Sequence, residues 1–158
     1  MKAFPSKELK FKLHDSQTET LQRLNRRTEK SERLTSAKTD KTFRGVIHGN
    51  EFKIISSAVG KGAFCVMTGV IEGDKGRVGV QIHKAFRILS GILLLLPILA
   101  LLISVLKDSI DFSPFLILVT IGQILMIRFI IIELVFQQLS RDSLNRLRDV
   151  LDAEWLKN

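Results

Sequence analysis

The residues best able to hold a metal or attack a substrate are His14, His48, His83 and the single cysteine, Cys65. A metal site needs ligands paired a few residues apart, and no two of these four stand so close. The sequence also lacks a P-loop and a nucleophile elbow. The histidines therefore read as turn or surface residues, and Cys65, in an apolar run, reads as a small core residue. Catalysis, a metal and a cofactor are not expected.

Anion binding is the chemistry that remains. In Gly60-Lys61-Gly62 two glycines flank a cation and expose backbone amides, the ingredients of a phosphate cradle and equally of a plain hairpin turn. Arg44, Lys53 and Arg77 fall on neighbouring predicted strands, where they either hold an anion between them or line a solvated face. A second polar set, Gln123, Arg128 and Glu133, interrupts apolar sequence. Arg128 either snorkels to a headgroup layer or meets a polar group of a neighbouring subunit. In an α-helix Glu133, five residues on, does not stack on Arg128.

Two apolar segments must carry that second set. Ile88 to Leu106 is nineteen residues without a charge, which as a helix spans roughly 28 Å, close to the hydrocarbon thickness of a bilayer. Lys107-Asp108-Ser109-Ile110-Asp111 breaks the run, and a second begins at Phe112. The pattern predicts a transmembrane hairpin over 87–136, with spans 87–106 and 112–135. Pro97 should kink the first span. Ser113-Pro114 suits the start of the second, with Ser as N-cap and Pro in the first turn. Gly91, Ser104, Thr120 and Gly122 would allow close helix contact.

The sequence before the hairpin should form a small α+β domain over 1–86. Leu9, Phe11 and Leu13 alternate with lysines as a short strand does. Ser16-Gln17-Thr18-Glu19 has the spacing of a capping box, opening a helix to about Lys30. From Thr42 the period changes to two. Thr42 to Ile47 and Phe52 to Ser56 flank a turn centred on Gly49-Asn50. Ala63 to Ile71 and Arg77 to His83 flank a second turn. This predicts an antiparallel meander of four strands, five with the first, covered by one helix. After the hairpin, Leu144, Leu147, Leu151 and Trp155 share one stripe of an amphipathic helix over 137–158.

Charge is uneven. Residues 1–87 carry 18 Lys and Arg against 9 Asp and Glu, and the remainder carries 6 against 7. Basic residues flank the hairpin on both sides and are scarce in its turn, so the positive-inside rule puts both termini in the cytoplasm. The N-terminus shows no apolar core of a cleavable signal, and one cysteine allows no intrachain disulfide. The basic segment suits a lipid headgroup or a nucleotide; nucleic acid is not expected.

Phe43-Arg44-Gly45-Val46-Ile47, Gly49-Asn50-Glu51-Phe52-Lys53-Ile54 and Thr68-Gly69-Val70-Ile71, followed by the hairpin, resemble small bacterial two-transmembrane proteins with a cytosolic β-domain. The parts list also resembles the two-transmembrane, β-strand-rich effectors of anti-phage systems, although here the sheet precedes the anchors. That resemblance implies an inner-membrane homo-oligomer whose β-domain binds a cyclic nucleotide and whose spans then disrupt the membrane. The alternative is a scaffold whose basic face grips anionic lipid or a partner protein.

Overall fold

The computed structural model describes residues 4–35, 39–58, 62–106 and 114–156. It is an α+β fold that divides into two units, one of 1–83 with 138–158 and one of 84–137. The C-terminal segment thus belongs with the N-terminal domain.

The first unit is built on a seven-stranded mixed sheet. Its strands are β1 (Ser6–Leu13), β2 (Thr28–Lys30), β3 (Phe43–His48), β4 (Glu51–Ser56), β5 (Cys65–Glu72), β6 (Lys75–Ile82) and β7 (Ala153–Leu156). They lie in the order β2-β3-β4-β5-β6-β1-β7, and every pairing is antiparallel except β2 with β3. The predicted meander is β3 to β6, with β1 added beside β6. Its two tight turns have Gly49 and Gly73 at φ of 58° and 64°, a region that glycine enters without steric cost. β2 and β7, which extend the sheet at either edge, do not announce themselves in the sequence.

Directly opposed residues of an antiparallel sheet point to the same face. On one face Phe11, Phe52, Ile54, Met67, Ile71, Val78 and Val80 are buried, each 3% exposed or less. Helix α1 (Gln17–Arg27) and the distal part of helix α4 (Glu133–Leu151) supply the cover for this face, with Leu24, Leu144, Leu147 and Leu151 themselves buried. Ser16 caps α1. Its hydroxyl accepts from the Glu19 amide at 3.4 Å and donates to the Glu19 carboxylate at 3.1 Å. Gln17 then ties the helix to the β5–β6 turn. It donates to the Ile71 carbonyl and accepts from the Gly73 amide, both at 3.0 Å.

Two sequence expectations need correction here. α1 stops at Arg27, and the next three residues form β2 instead of a last helical turn. The C-terminal helix stops at Leu151: Asp152 adopts a φ of 50°, a conformation that cannot continue a right-handed helix. The chain then returns as β7 along β1, where Trp155 packs edge-to-face on Phe11 with ring centroids 6.1 Å apart.

The second unit holds helix α2 (Lys84–Leu106), helix α3 (Pro114–Leu125), a π-helical turn (Met126–Ile132) and the first residues of α4. From Phe115 to Leu151 these form one continuous helix. Both α2 and this helix are long and apolar enough to cross a membrane. α2 buries none of its residues, and α3 exposes Phe115, Leu118, Ile121 and Leu125 by half or more. Such continuous apolar exposure requires lipid or another protein to cover it. The connecting turn, 107–113, lies outside the described residues.

Candidate functional site

The face of the sheet opposite the core is concave. On the core face two glycines lie under aromatic rings. A Cβ on Gly69 would lie 2.3 Å from the Phe52 ring, and one on Gly76 would lie 2.3 Å from the Phe11 ring. An aromatic ring thus occupies the space of a missing side chain at two places, β4 over β5 and β1 over β6, which glycine alone permits. The concavity on the opposite face, of about 570 Å³, spans β1 and β3 to β6.

Two rows of side chains line it. Val46, Lys53, Thr68, Gly79 and Glu8 are successive register partners in one row, and His48, Glu51, Val70 and Arg77 in the next. Lys53 and Arg77 stand two strands apart, about 10 Å across the sheet, so their long side chains can converge on one group. Among the described residues neither makes a hydrogen bond or ion pair, and the same holds for Glu8 and Glu51. The lining is balanced in charge, which the basic composition of the domain did not foretell. It can bind a ligand with an anionic end and donor groups elsewhere, with Val46 and Val70 as an apolar shelf.

Of the four residues expected to hold an anion, Lys53 and Arg77 therefore share one site. Arg44 sits on the same face but outside the concavity, donating from Nη1 to the Thr35 carbonyl at 3.2 Å. Lys61 lies outside the described residues, so the Gly60-Lys61-Gly62 cradle cannot be placed with them. Glu8, His48, Glu51, Thr68 and Gln81 also line the concavity, without having been singled out in the sequence. Period-two alternation points to them, because each shares a face with Lys53 or Arg77. Cys65 is fully buried on the core face, which pushes its thiol pKa up to about 12 by desolvation. No cluster of metal-ligating side chains occurs among the described residues.

The second polar set, inside the apolar helix, departs from the α-helical expectation. Arg128 Nη1 lies 3.8 Å from Glu133 Oε2 in the same chain. The reason is the π turn. Its i→i+5 bonding widens the helix to more than four residues per turn, so residues five apart come onto one face. The Arg128 guanidinium also sits 5.5 Å from the Phe129 ring centroid. Nη1 is buried and has no hydrogen-bond partner among the described residues, because 3.8 Å is ion-pair contact but too long for a hydrogen bond. Glu133 in turn accepts from Gln137 Nε2 at 3.3 Å. Gln123 is exposed and makes no hydrogen bond among the described residues. The hydroxyls of Ser104 and Thr120 bond back to the carbonyls of Ala100 and Leu116, four residues earlier, each at 2.9 Å. Gly91 and Gly122 have open space where a Cβ would stand, so neither glycine marks a close helix contact.

Comparison with protein-family models, with curated proteins and with solved structures gives no match for this chain.

Proposed function

We propose that the chain is a membrane-anchored sensor that binds and does not catalyse. Its two apolar helices form a transmembrane hairpin in a bacterial inner membrane, with both termini in the cytoplasm. Its concave sheet face takes a small ligand of the nucleotide class. The observation that carries this reading is that Lys53 and Arg77 line one concavity, neither side chain with a hydrogen bond or ion pair among the described residues. Their charges suit a phosphate, cyclic or linear. Glu8 and Glu51 on the same surface accept from the N–H and O–H groups of a base or sugar. An all-anionic surface such as a lipid headgroup layer is met less well by a face carrying two carboxylates.

Binding would be read out as a change in the assembly of the hairpins, with membrane depolarisation as the output that the effector resemblance implies. The direct test is thermal stability of the detergent-purified full chain against cyclic and linear nucleotides. A ligand at about 100 times its dissociation constant adds roughly 2.7 kcal/mol, a clear melting shift. Lys53→Ala and Arg77→Ala should remove the shift and leave the unliganded melting point nearly unchanged, since both side chains are exposed. If no nucleotide shifts the wild type, the scaffold reading replaces this one. Liposome flotation with and without anionic lipid then tells a lipid grip from a protein partner.

A further inference from the structure

The π turn is the least ordinary piece of backbone in the chain. π turns are rare, are usually single turns within α-helices, and often mark sites where a helix must do something. This one begins two residues before Arg128 and ends one before Glu133, so the wide turn and the ion pair coincide. The pair needs the wide turn. In α-helical winding, at 3.6 residues per turn, residues five apart stand about 140° from eclipse and the pair cannot form. Besides the pair, the wide turn buries Ile127 and Ile132 and touches α2, so packing is the competing cause that the test must separate from the charges.

We propose that the Arg128–Glu133 pair is a latch on a two-state helix. Latched, the turn is π-helical and Arg128 is neutralised within its own chain. Unlatched, the turn winds into α-helix, and α3 rotates against the start of α4 by about 100°, one residue of α-helical twist. The latch is weak enough to open, because the pair lies at 3.8 Å without a hydrogen bond and Arg128 Nη1 still lacks an acceptor. A closer acceptor outcompetes Glu133.

The helix surface accommodates both states. α2 and α3 are in contact, and the less exposed residues of α3 are Leu116, Thr120 and Ile124, a stripe at i, i+4 and i+8. Rotation by one residue replaces them with Ile117, Ile121 and Leu125. This second stripe is at least as apolar as the first, so α2 meets a packable face in either state.

The phase of α3 tests this directly. Single cysteines carrying a spin label are placed in turn at 116–125 of the full chain, in a Cys65→Ala background, in nanodiscs. Oxygen accessibility is then read along the helix. In the otherwise wild-type chain the minima should fall at Leu116, Thr120 and Ile124. In Glu133→Gln they should move by one residue, to Ile117, Ile121 and Leu125. The charge swap Arg128→Glu with Glu133→Arg restores an ion pair and should restore the original phase. Deleting Ile131 removes the extra residue that the π turn absorbs. Glu133→Gln in that background should therefore keep the original phase despite lacking the pair. Unmoved minima in Glu133→Gln, or a charge swap that behaves like the single variant, overturn the latch. A shift that persists in the deletion background shows that the π turn is not its source, and overturns it equally. The measurement requires no ligand, so it stands whether or not the sheet binds a nucleotide.

Discussion

Replacing Gly69 with alanine should destabilise the sheet that carries the concave face. Its added Cβ would come within 2.3 Å of the Phe52 ring and 2.7 Å of the Arg77 carbonyl oxygen, both closer than real Cβ contacts come. Phe52 is 3% exposed, so its ring has little room to withdraw. The ring must leave its rotamer or β5 must move away from β6, and overpacking of this kind costs about 1–3 kcal/mol. For a domain near a hundred residues each kcal/mol lowers the melting temperature by about 4–8 °C. Taking about 2 kcal/mol, Gly69→Ala should melt roughly 10 °C below wild type. The paired variant Phe52→Leu keeps the site apolar and removes the ring tip that the Cβ would strike. On its own it should cost no more than about 1.5 kcal/mol. Combined with Gly69→Ala it should recover part of the loss, a coupling of about 0.5–2 kcal/mol. Full recovery is not expected, because the Arg77 carbonyl remains in place. Thermal melts of the four proteins in one detergent give the cycle. Strict additivity, or a Gly69→Ala melt within a degree of wild type, would show that the ring does not occupy the glycine's space.

Burial of the Cys65 thiol sets a pH dependence. The folded thiol titrates near 12 and the unfolded one near 9.0, so both states keep the proton below pH 9 and the thiol's contribution is fully present there. As pH rises from about 9 towards 12 only the unfolded chain loses that proton, and stability should fall by up to about 1.4 kcal/mol per pH unit. Melting curves of Cys65→Ala should lack that component of the slope, whatever the cavity costs at neutral pH. Leu147→Ala, at a fully buried position, should cost about 2–5 kcal/mol; a loss under 1 kcal/mol would mean that α4 does not cover the core. Asp152→Gly should raise stability by about 0.5–1 kcal/mol, because glycine takes a positive φ without strain. Its distant contact to Arg23, at 4.0 Å, is exposed and contributes little. A lower melting point for Asp152→Gly would refute that balance.

The elements that were legible in the sequence are those whose signal is local. Leu9, Phe11 and Leu13 alternate in a way that only a half-buried strand explains, and β1 is there. Gly49 and Gly73 mark turns because the chain must take a positive φ there, and the strands on either side follow. The two apolar runs name themselves by length. Of the candidate site, Lys53 and Arg77 were legible because alternation puts both on the polar face. Glu8 and Glu51 were missed because composition had suggested a basic surface, whereas register decides which charges meet. β2 and β7 are three and four residues long, too short to show a period. They are strands because a neighbour offers them an edge: β3 for one, β1 for the other. Trp155 continues the apolar stripe of α4 in sequence, yet the helix ends four residues earlier, at the positive φ of Asp152, and the Trp155 ring packs on Phe11 from β7.

The π turn is a different kind of omission, because the information was present and the rule applied to it was wrong. A charge pair at a spacing of five is mute in an α-helix, and on that rule Arg128 had only headgroups or a neighbouring subunit to turn to. If the proposed span lies in a bilayer, an arginine within it costs up to about 2.5–3.5 kcal/mol on the insertion scale, the value for the helix centre, and less towards the headgroups. The π turn brings Glu133 within ion-pair range of Arg128, at 3.8 Å, inside the same helix. Backbone regularity, the strongest constraint on a membrane helix, gives way locally because the carbonyl and amide groups of a π turn remain bonded to one another. On the latch proposal, a spacing of five between opposite charges in an apolar helix favours a π turn over an α turn. Moving the acid to the α-helical position, with Glu133→Leu and Ile132→Glu, tests that rule in this chain. The pair would then form at a spacing of four without the wide turn, so α3 should take the rotated phase while Arg128 stays neutralised. If the phase stays at Leu116, Thr120 and Ile124, the π turn is set by packing against α2 and not by the charges.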